Sequence, residues 1–299
     1  MSHPLDNTPS DEQADHPLGN EEPRQRHPFA QDPQKRKPDV PEKPKQMIRL
    51  PRRIEKPYAT YTLLAINVVI FVIGLVSNSA WEWLVVNGVN IPYYTAHGQI
   101  YRLVTSMFLH GNLAHIAFNM LALLYLGRLL ESLFGRTRFL LIYFLGGLGG
   151  SVLGTLLNEG GLGASGAVFA LWGGELIYLY RNRELYGGWA RQRMQQSLML
   201  MGLNFAYGIF VNVNAQEGGT LIGNFAHLGG LIGGVLLTFM IGPRIHIPPQ
   251  TPDVVNGIRI YNAEDTNDQP KGWLSWLALY VLGLVILMVA AGLIITSPI

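Results

Sequence analysis

Apolar and polar stretches alternate along this chain in blocks longer than the stripe of a soluble amphipathic helix. Seven apolar runs stand out, at about residues 58–76, 113–134, 139–157, 165–180, 195–212, 222–242 and 273–296. A hydrocarbon core of roughly 30 Å takes about 20 helical residues to cross, so each run predicts a transmembrane helix and the whole an all-α polytopic membrane protein. Residues 1–57 are rich in Pro and charge and poor in large apolar side chains, which predicts a disordered tail. The first six runs define a bundle over 58–242. Residues 243–272, with Pro248, Pro249 and Pro252, predict a linker ordered at most locally, and 273–299 carries the seventh span. Residues 77–111 form a long, weakly polar loop with Trp81, Trp83 and Tyr101, suited to lying in the membrane interface.

Charge fixes an orientation for this layout. Of the 22 Lys and Arg, eleven lie in the tail, and Arg128, Arg136, Arg138, Arg181, Arg183, Arg191, Arg193, Arg244, Arg259 and Lys271 all fall in segments on the tail's side of the membrane. Only Arg102 falls opposite, so the positive-inside rule predicts a cytoplasmic N-terminus and an outward C-terminus. At 14% charged residues the chain is far below the roughly 25% of soluble domains. With no cysteine, disulfides, Cys-ligated zinc and a thiol nucleophile are excluded. A net charge of +2 gives no footprint for a nucleic-acid partner, and the hydrophilic N-terminus does not read as a cleavable signal peptide.

The chemistry converges at one end of the bundle. Ser165, in Gly163-Ala164-Ser165-Gly166, opens the fourth span; His227 lies about a turn into the sixth, and His115 and Asn119 lie in the second, all at the outer leaflet in this orientation. Taken singly, an intramembrane His or Asn is most simply an interhelical hydrogen-bonding group, and a Gly-Ser-Gly step a close helix contact. Their shared depth instead suits a cavity open to the outside. A serine hydroxyl needs a base within hydrogen-bond reach, and His227 serves if spans four and six touch. Close packing is written into both: Gly166, Ala170 and Gly173 or Gly174 form one small-residue stripe, and Gly230 and Gly234 lie on the His227 face of the other. His115 and Asn119, four apart, share a helix face and, with the Ser165 backbone N–H, are placed to form an oxyanion pocket. No Asp or Glu stands at this leaflet to orient His227, which predicts a Ser/His dyad. Phe169 is placed either to pack on the imidazole or to fill core.

These residues resemble those of the rhomboid family of intramembrane serine proteases over about 58–242. Three motifs carry the resemblance: His110-x4-His115-x3-Asn119, Gly163-Ala164-Ser165-Gly166, and Ala226-His227-x2-Gly230-x3-Gly234. Glu131 and Gly135 also fit the family pattern. The resemblance implies a six-helix rhomboid fold with an added seventh span. It implies Ser165 as nucleophile, His227 as general base, and His115, Asn119 and the Ser165 amide as oxyanion hole. Substrates would be other membrane proteins, cut near the outer end of a transmembrane helix, in what would be a bacterial cytoplasmic membrane. Tyr101-Arg102 replaces a frequent Trp-Arg, and Phe169 a frequent Tyr.

Other residues have simpler expectations. His110 reads first as an interfacial histidine satisfied by water and second as a support for the oxyanion loop. His-Glu-x-x-His is absent, so no metal and no other cofactor is expected. Glu175, about 15 Å below Ser165 at helical rise, is too deep for the site and is expected near the inner boundary, neutral or paired with Arg181. Asn204, Tyr207 and Phe210 are candidates for the wall where a substrate helix arrives. A non-catalytic rhomboid-like protein that holds transmembrane helices is the alternative, whereas a channel or carrier would need more deep ionisable groups than Glu175.

Overall fold

The computed structural model describes residues 46–51, 56–214, 223–249, 251–256, 258–268 and 272–297. Its helices are α1 Tyr58–Val76, α2 Asn78–Gly88, α3 Pro92–Ala96, α4 Arg102–Thr105, α5 Leu113–Phe134, α6 Arg136–Leu156, α7 Ser165–Arg181, α8 Arg183–Tyr186, α9 Gly188–Asn214, α10 Asn224–Ile241 and α11 Leu274–Ile294. Six of these, α1, α5, α6, α9, α10 and α11, are long and apolar enough to cross a membrane. With the 17-residue α7 at the centre, they make an all-α polytopic membrane fold.

Glycine governs the centre. A Cβ on Gly230 would fall on the Gly166 carbonyl, and one on Gly234 on the Ala170 carbonyl, so α7 and α10 touch backbone to backbone. Helix α6 joins the same contact: a Cβ on Gly150 would stand 2.5 Å from the Ala226 carbonyl oxygen, and one on Gly229 only 2.6 Å from that of Gly149. Three helices therefore meet with no side chains between them, and Leu123, Leu126, Leu130, Phe139, Ile142 and Leu171 fill the surrounding core.

Helix α1 starts without a capping side chain of its own. It follows Pro57, and Glu131 on α5 accepts from the Ala59 and Thr60 amides at 3.0 and 2.8 Å and from the Thr60 hydroxyl at 2.8 Å. Gly135, at φ +83°, then lets the chain turn directly from α5 into α6. The long loop after α1 is helical rather than extended. Its Arg102 is buried and donates to the Val86 and Val89 carbonyls at the end of α2, and to Gln99.

Two expectations are corrected here. The predicted tail reaches residue 57, yet Gln46–Arg49 forms strand β1; residues 1–45 and 52–55 of that tail lie outside the described residues. The predicted linker holds β2 Ile245–His246, β3 Asp253–Val255, β4 Ile258–Asn262 and β5 Glu264–Asp265. Strand β1 runs parallel to β4, β3 antiparallel to β4, and β2 antiparallel to β5. The end of this segment encloses a buried cation: Arg138 on α6 must be paired once out of water, and Asp265, the Asn267 carbonyl and the Trp273 ring surround it. Helix α11 follows, its Tyr280 hydroxyl donating to the Leu145 carbonyl of α6 at 3.0 Å.

Replacing Gly234 by Ala is expected to destabilise the protein by roughly 1 to 3 kcal/mol through overpacking. Gly202 on α9 has open space where a Cβ would go. Gly202→Ala should leave stability unchanged or raise it by up to about 1 kcal/mol. Thermal unfolding in detergent distinguishes the two.

Candidate active site

The site is assembled from the ends of α5, α7 and α10 and the loops between them. Ser165 is the first residue of α7, half-buried, and no side chain caps that helix, so its first amides are free donors. Gly163 just before it adopts φ +126° and donates to the Ser106 carbonyl at 2.8 Å. A Cβ there would stand 2.7 Å from His115 Nε2 and 3.7 Å from Ser165 Oγ. The missing side chain thus marks a point that the imidazole and the hydroxyl both border, and the positive φ demands glycine independently.

His227 is buried in the first turns of α10 and lies flat on Phe169, ring centroids 4.4 Å apart and planes 9° from parallel. Phe205 of α9 meets it edge-on at 6.1 Å. Since Phe169 is one turn below Ser165, and Gly230, three residues past His227, rests on Gly166, the imidazole is brought to the serine's face of α7. Its Nδ1 has no hydrogen-bond partner among the described residues. His115 and Asn119 lie on one face of α5, whose start is capped by Asn112 accepting from the His115 amide at 2.9 Å. The Asn119 amide donates back to the His115 carbonyl at 3.0 Å, leaving one N–H of that group for another acceptor.

Several expectations change. His110 is buried rather than interfacial: its ring packs edge-on against His115 at 5.1 Å, and its Nε2 lies 3.5 Å from the Ala164 amide. It therefore buttresses the segment leading into Ser165. Desolvation, with His115 nearby, pushes its pKa down to about 4, against the opposing pull of the Phe108 carbonyl. Glu175 pairs not with Arg181 but with Arg193, at 2.7 and 2.5 Å, and with the Ser197 hydroxyl at 2.6 Å. Helix α9 starts at Gly188, earlier than the predicted 195, and so carries Arg193 inside, where its guanidinium also covers the Tyr125 ring. Arg181 instead donates to the Thr238 and Phe239 carbonyls near the end of α10. Asn204, Tyr207 and Phe210 face away from the bundle, and Phe205, which hydropathy does not distinguish from its neighbours, is the α9 residue at the site.

An acid that the sequence did not single out stands at this end without orienting His227. Glu159, in the loop after α6, accepts from the Phe225 and Ala226 amides at the start of α10, at 2.8 and 3.1 Å. Desolvation lifts its carboxyl above the usual range, while those amides and that of Asn224 pull it back. It serves backbone and not the imidazole. The signal was Gly223, a helix start with no side chain to satisfy its own donors. Among the described residues no three His, Asp or Glu side chains are grouped to hold a metal ion.

Fold and site together define a helical membrane protein built around a serine at a helix start and a histidine on the helix packed against it. The Rhomboid domain is matched over residues 97–244. RHOMBOID-like protein 1 of Arabidopsis thaliana is 34% identical over 203 residues, covering 64% of this chain and 49% of that protein. Rhomboid protease GluP of Bacillus subtilis is 33% identical, covering 62% of this chain and 35% of that protein. The chain thus spans about half or less of these two relatives. Putative rhomboid protease YdcA of Bacillus subtilis is also 33% identical, covering 62% of this chain and 88% of that protein. The chain belongs to the rhomboid family.

His110 gives a pH test. Its pKa falls from 6.5 to about 4 on folding, so the native state favours the neutral ring. Its contribution to stability is present above pH 6.5 and is lost as pH falls from 6.5 towards 4. Melting temperatures across that window should fall less steeply for His110→Asn than for the wild type.

Proposed function

We propose that the chain is an intramembrane serine endopeptidase acting on other membrane proteins through a Ser165/His227 dyad. The observation that carries this reading is the meeting of the Ser165 helix start, the His115 imidazole at Gly163 and the His227 ring stacked on Phe169. Ser165 Oγ bonds to the scissile carbonyl carbon as His227 takes its proton. The negative oxygen that forms is met by the Ser165 amide, His115 and the Asn119 amide, whose N–H donors need no side-chain cap to be displaced. Collapse breaks the C–N bond, His227 returns the proton to the departing amine, and water activated by the same imidazole releases the acyl group.

Among the described residues no carboxylate meets His227 Nδ1, and Phe169 and Phe205 hold the ring by contact. The Lys and Arg distribution supports an orientation with the N-terminus cytoplasmic, the end of α11 outside and the site at the outer leaflet. Substrates would then be cut near the outer end of a transmembrane helix.

Purified protein is expected to cleave a single-span substrate, and Ser165→Ala or His227→Ala to lower kcat at least roughly a thousandfold. Asn119→Ala should lower it about 10- to 1,000-fold with Ser165 still reactive towards a fluorophosphonate. Cleavage at the wild-type rate in Ser165→Ala, or a wild-type Ser165 inert to the probe, would falsify the assignment.

A further inference from the structure

We propose that Glu159 is a positioning residue for the reaction: from the loop after α6 it holds the first turn of α10 and so sets the height at which His227 stands beside Ser165. This rests on the protease reading above.

Helix α10 begins after Gly223, which has no side chain to accept its own first amides. One Glu159 oxygen takes the amides of Phe225 and Ala226, the second and third residues of the helix, which are the donors that a Ser or Asp at Gly223 would satisfy. The next residue is His227, whose own amide donates to the Gly223 carbonyl at 3.0 Å. Cap and base therefore occupy a single turn. The carboxylate also faces the positive end of the α10 dipole.

The acceptor is itself fixed. The Glu159 amide donates to the Gly154 carbonyl at 2.8 Å, at a turn where Asn158 takes the left-handed conformation (φ 57°). Two residues on, Gly161 exchanges both backbone hydrogen bonds with Asn90, at 3.0 and 2.9 Å. Asn90 is in turn held by Thr155 on α6 and Thr95 on α3. A cap inside α10 would move with α10, whereas this one ties the His227 turn to the end of α6 and the first long loop.

Among the described residues, Glu159 is the side chain that accepts from the amides of that first turn. The Phe169 stack fixes the plane of the imidazole but permits sliding parallel to it, and Nδ1 has no partner among the described residues. Glycine contacts at Gly230 and Gly234 locate α10 beyond His227, and Gly150 of α6 sets the lateral approach of the Ala226 carbonyl, while the hydrogen bonds that tie the first-turn amides to another element come from Glu159.

The test uses full-length protein in liposomes with a single-span substrate. Glu159→Ala should lower kcat roughly ten- to a hundredfold through misplacement of the base, with KM changed by less than about twofold. Glu159→Gln, which keeps an acceptor oxygen, should restore most of the rate. Hydrogen–deuterium exchange at residues 224–227 should quicken in Glu159→Ala and not in Glu159→Gln. The same exchange is measured in the Ser165→Ala background, where turnover plays no part. Where Glu159→Ala loses its melting transition, Glu159→Asp carries the test, its shorter reach lowering kcat in the same way. Wild-type kcat in the folded variant, or unchanged exchange, overturns the positioning role alone. A wild-type chain that neither cleaves nor reacts with a fluorophosphonate overturns the protease reading and the positioning role with it.

Discussion

Backbone contact among α6, α7 and α10 is the constraint on which the rest of the molecule depends. Helices surrounded by lipid gain little from burying apolar side chains against one another, so close packing has to come from shape. Gly146, Gly149 and Gly150 on α6, Gly166 and Gly173 on α7, and Gly229, Gly230, Gly233 and Gly234 on α10 remove the side chains that would hold these axes apart. The same approach brings the His227 turn against the start of α7. Packing and site geometry are in this sense one feature, and a methyl group added at Gly234 acts on both.

Around that dry centre, polar groups are satisfied over long distances in the chain. Glu131 caps α1 from 71 residues away and Glu159 caps α10 from 66. Glu175 is matched by Arg193 and Ser197, and Arg138 by Asp265 and Asn267. Buried carboxylates and guanidiniums are tolerable only with such partners, and each pair ties together elements distant in sequence. Helix α9 shows this most clearly. Most of its surface faces outward, and Arg193, Ser197 and Met201 are among its few buried positions.

The sequence carried much of this openly. Length and hydropathy mark every membrane helix because lipid leaves no other structure for a long apolar run. Ser165, His227, His115 and Asn119 stand out because polar side chains at matched depth are rare, and Gly230 and Gly234 because their spacing follows His227. The Phe169 stack was legible from its four-residue offset from Ser165. What stayed hidden depends on who meets whom. Glu159 looked like one more polar loop residue until the capless Gly223 was brought beside it. Arg193 counted as loop charge because hydropathy placed the start of its helix too late. Strand β1 is four residues long, and its partner lies more than two hundred residues further on, beyond the reach of any local pattern.

That strand pairing settles a matter of parity. Hydrogen-bonded strands lie on one face of a bilayer, so β1 and β4 require an even number of crossings between them. Without α7 the membrane-length helices in that interval are five, α1, α5, α6, α9 and α10. The 17 residues of α7, about 25 Å at helical rise, supply the sixth. The shortest helix of the bundle, which opens with Ser165, thereby counts as a crossing by the parity of the strands it separates.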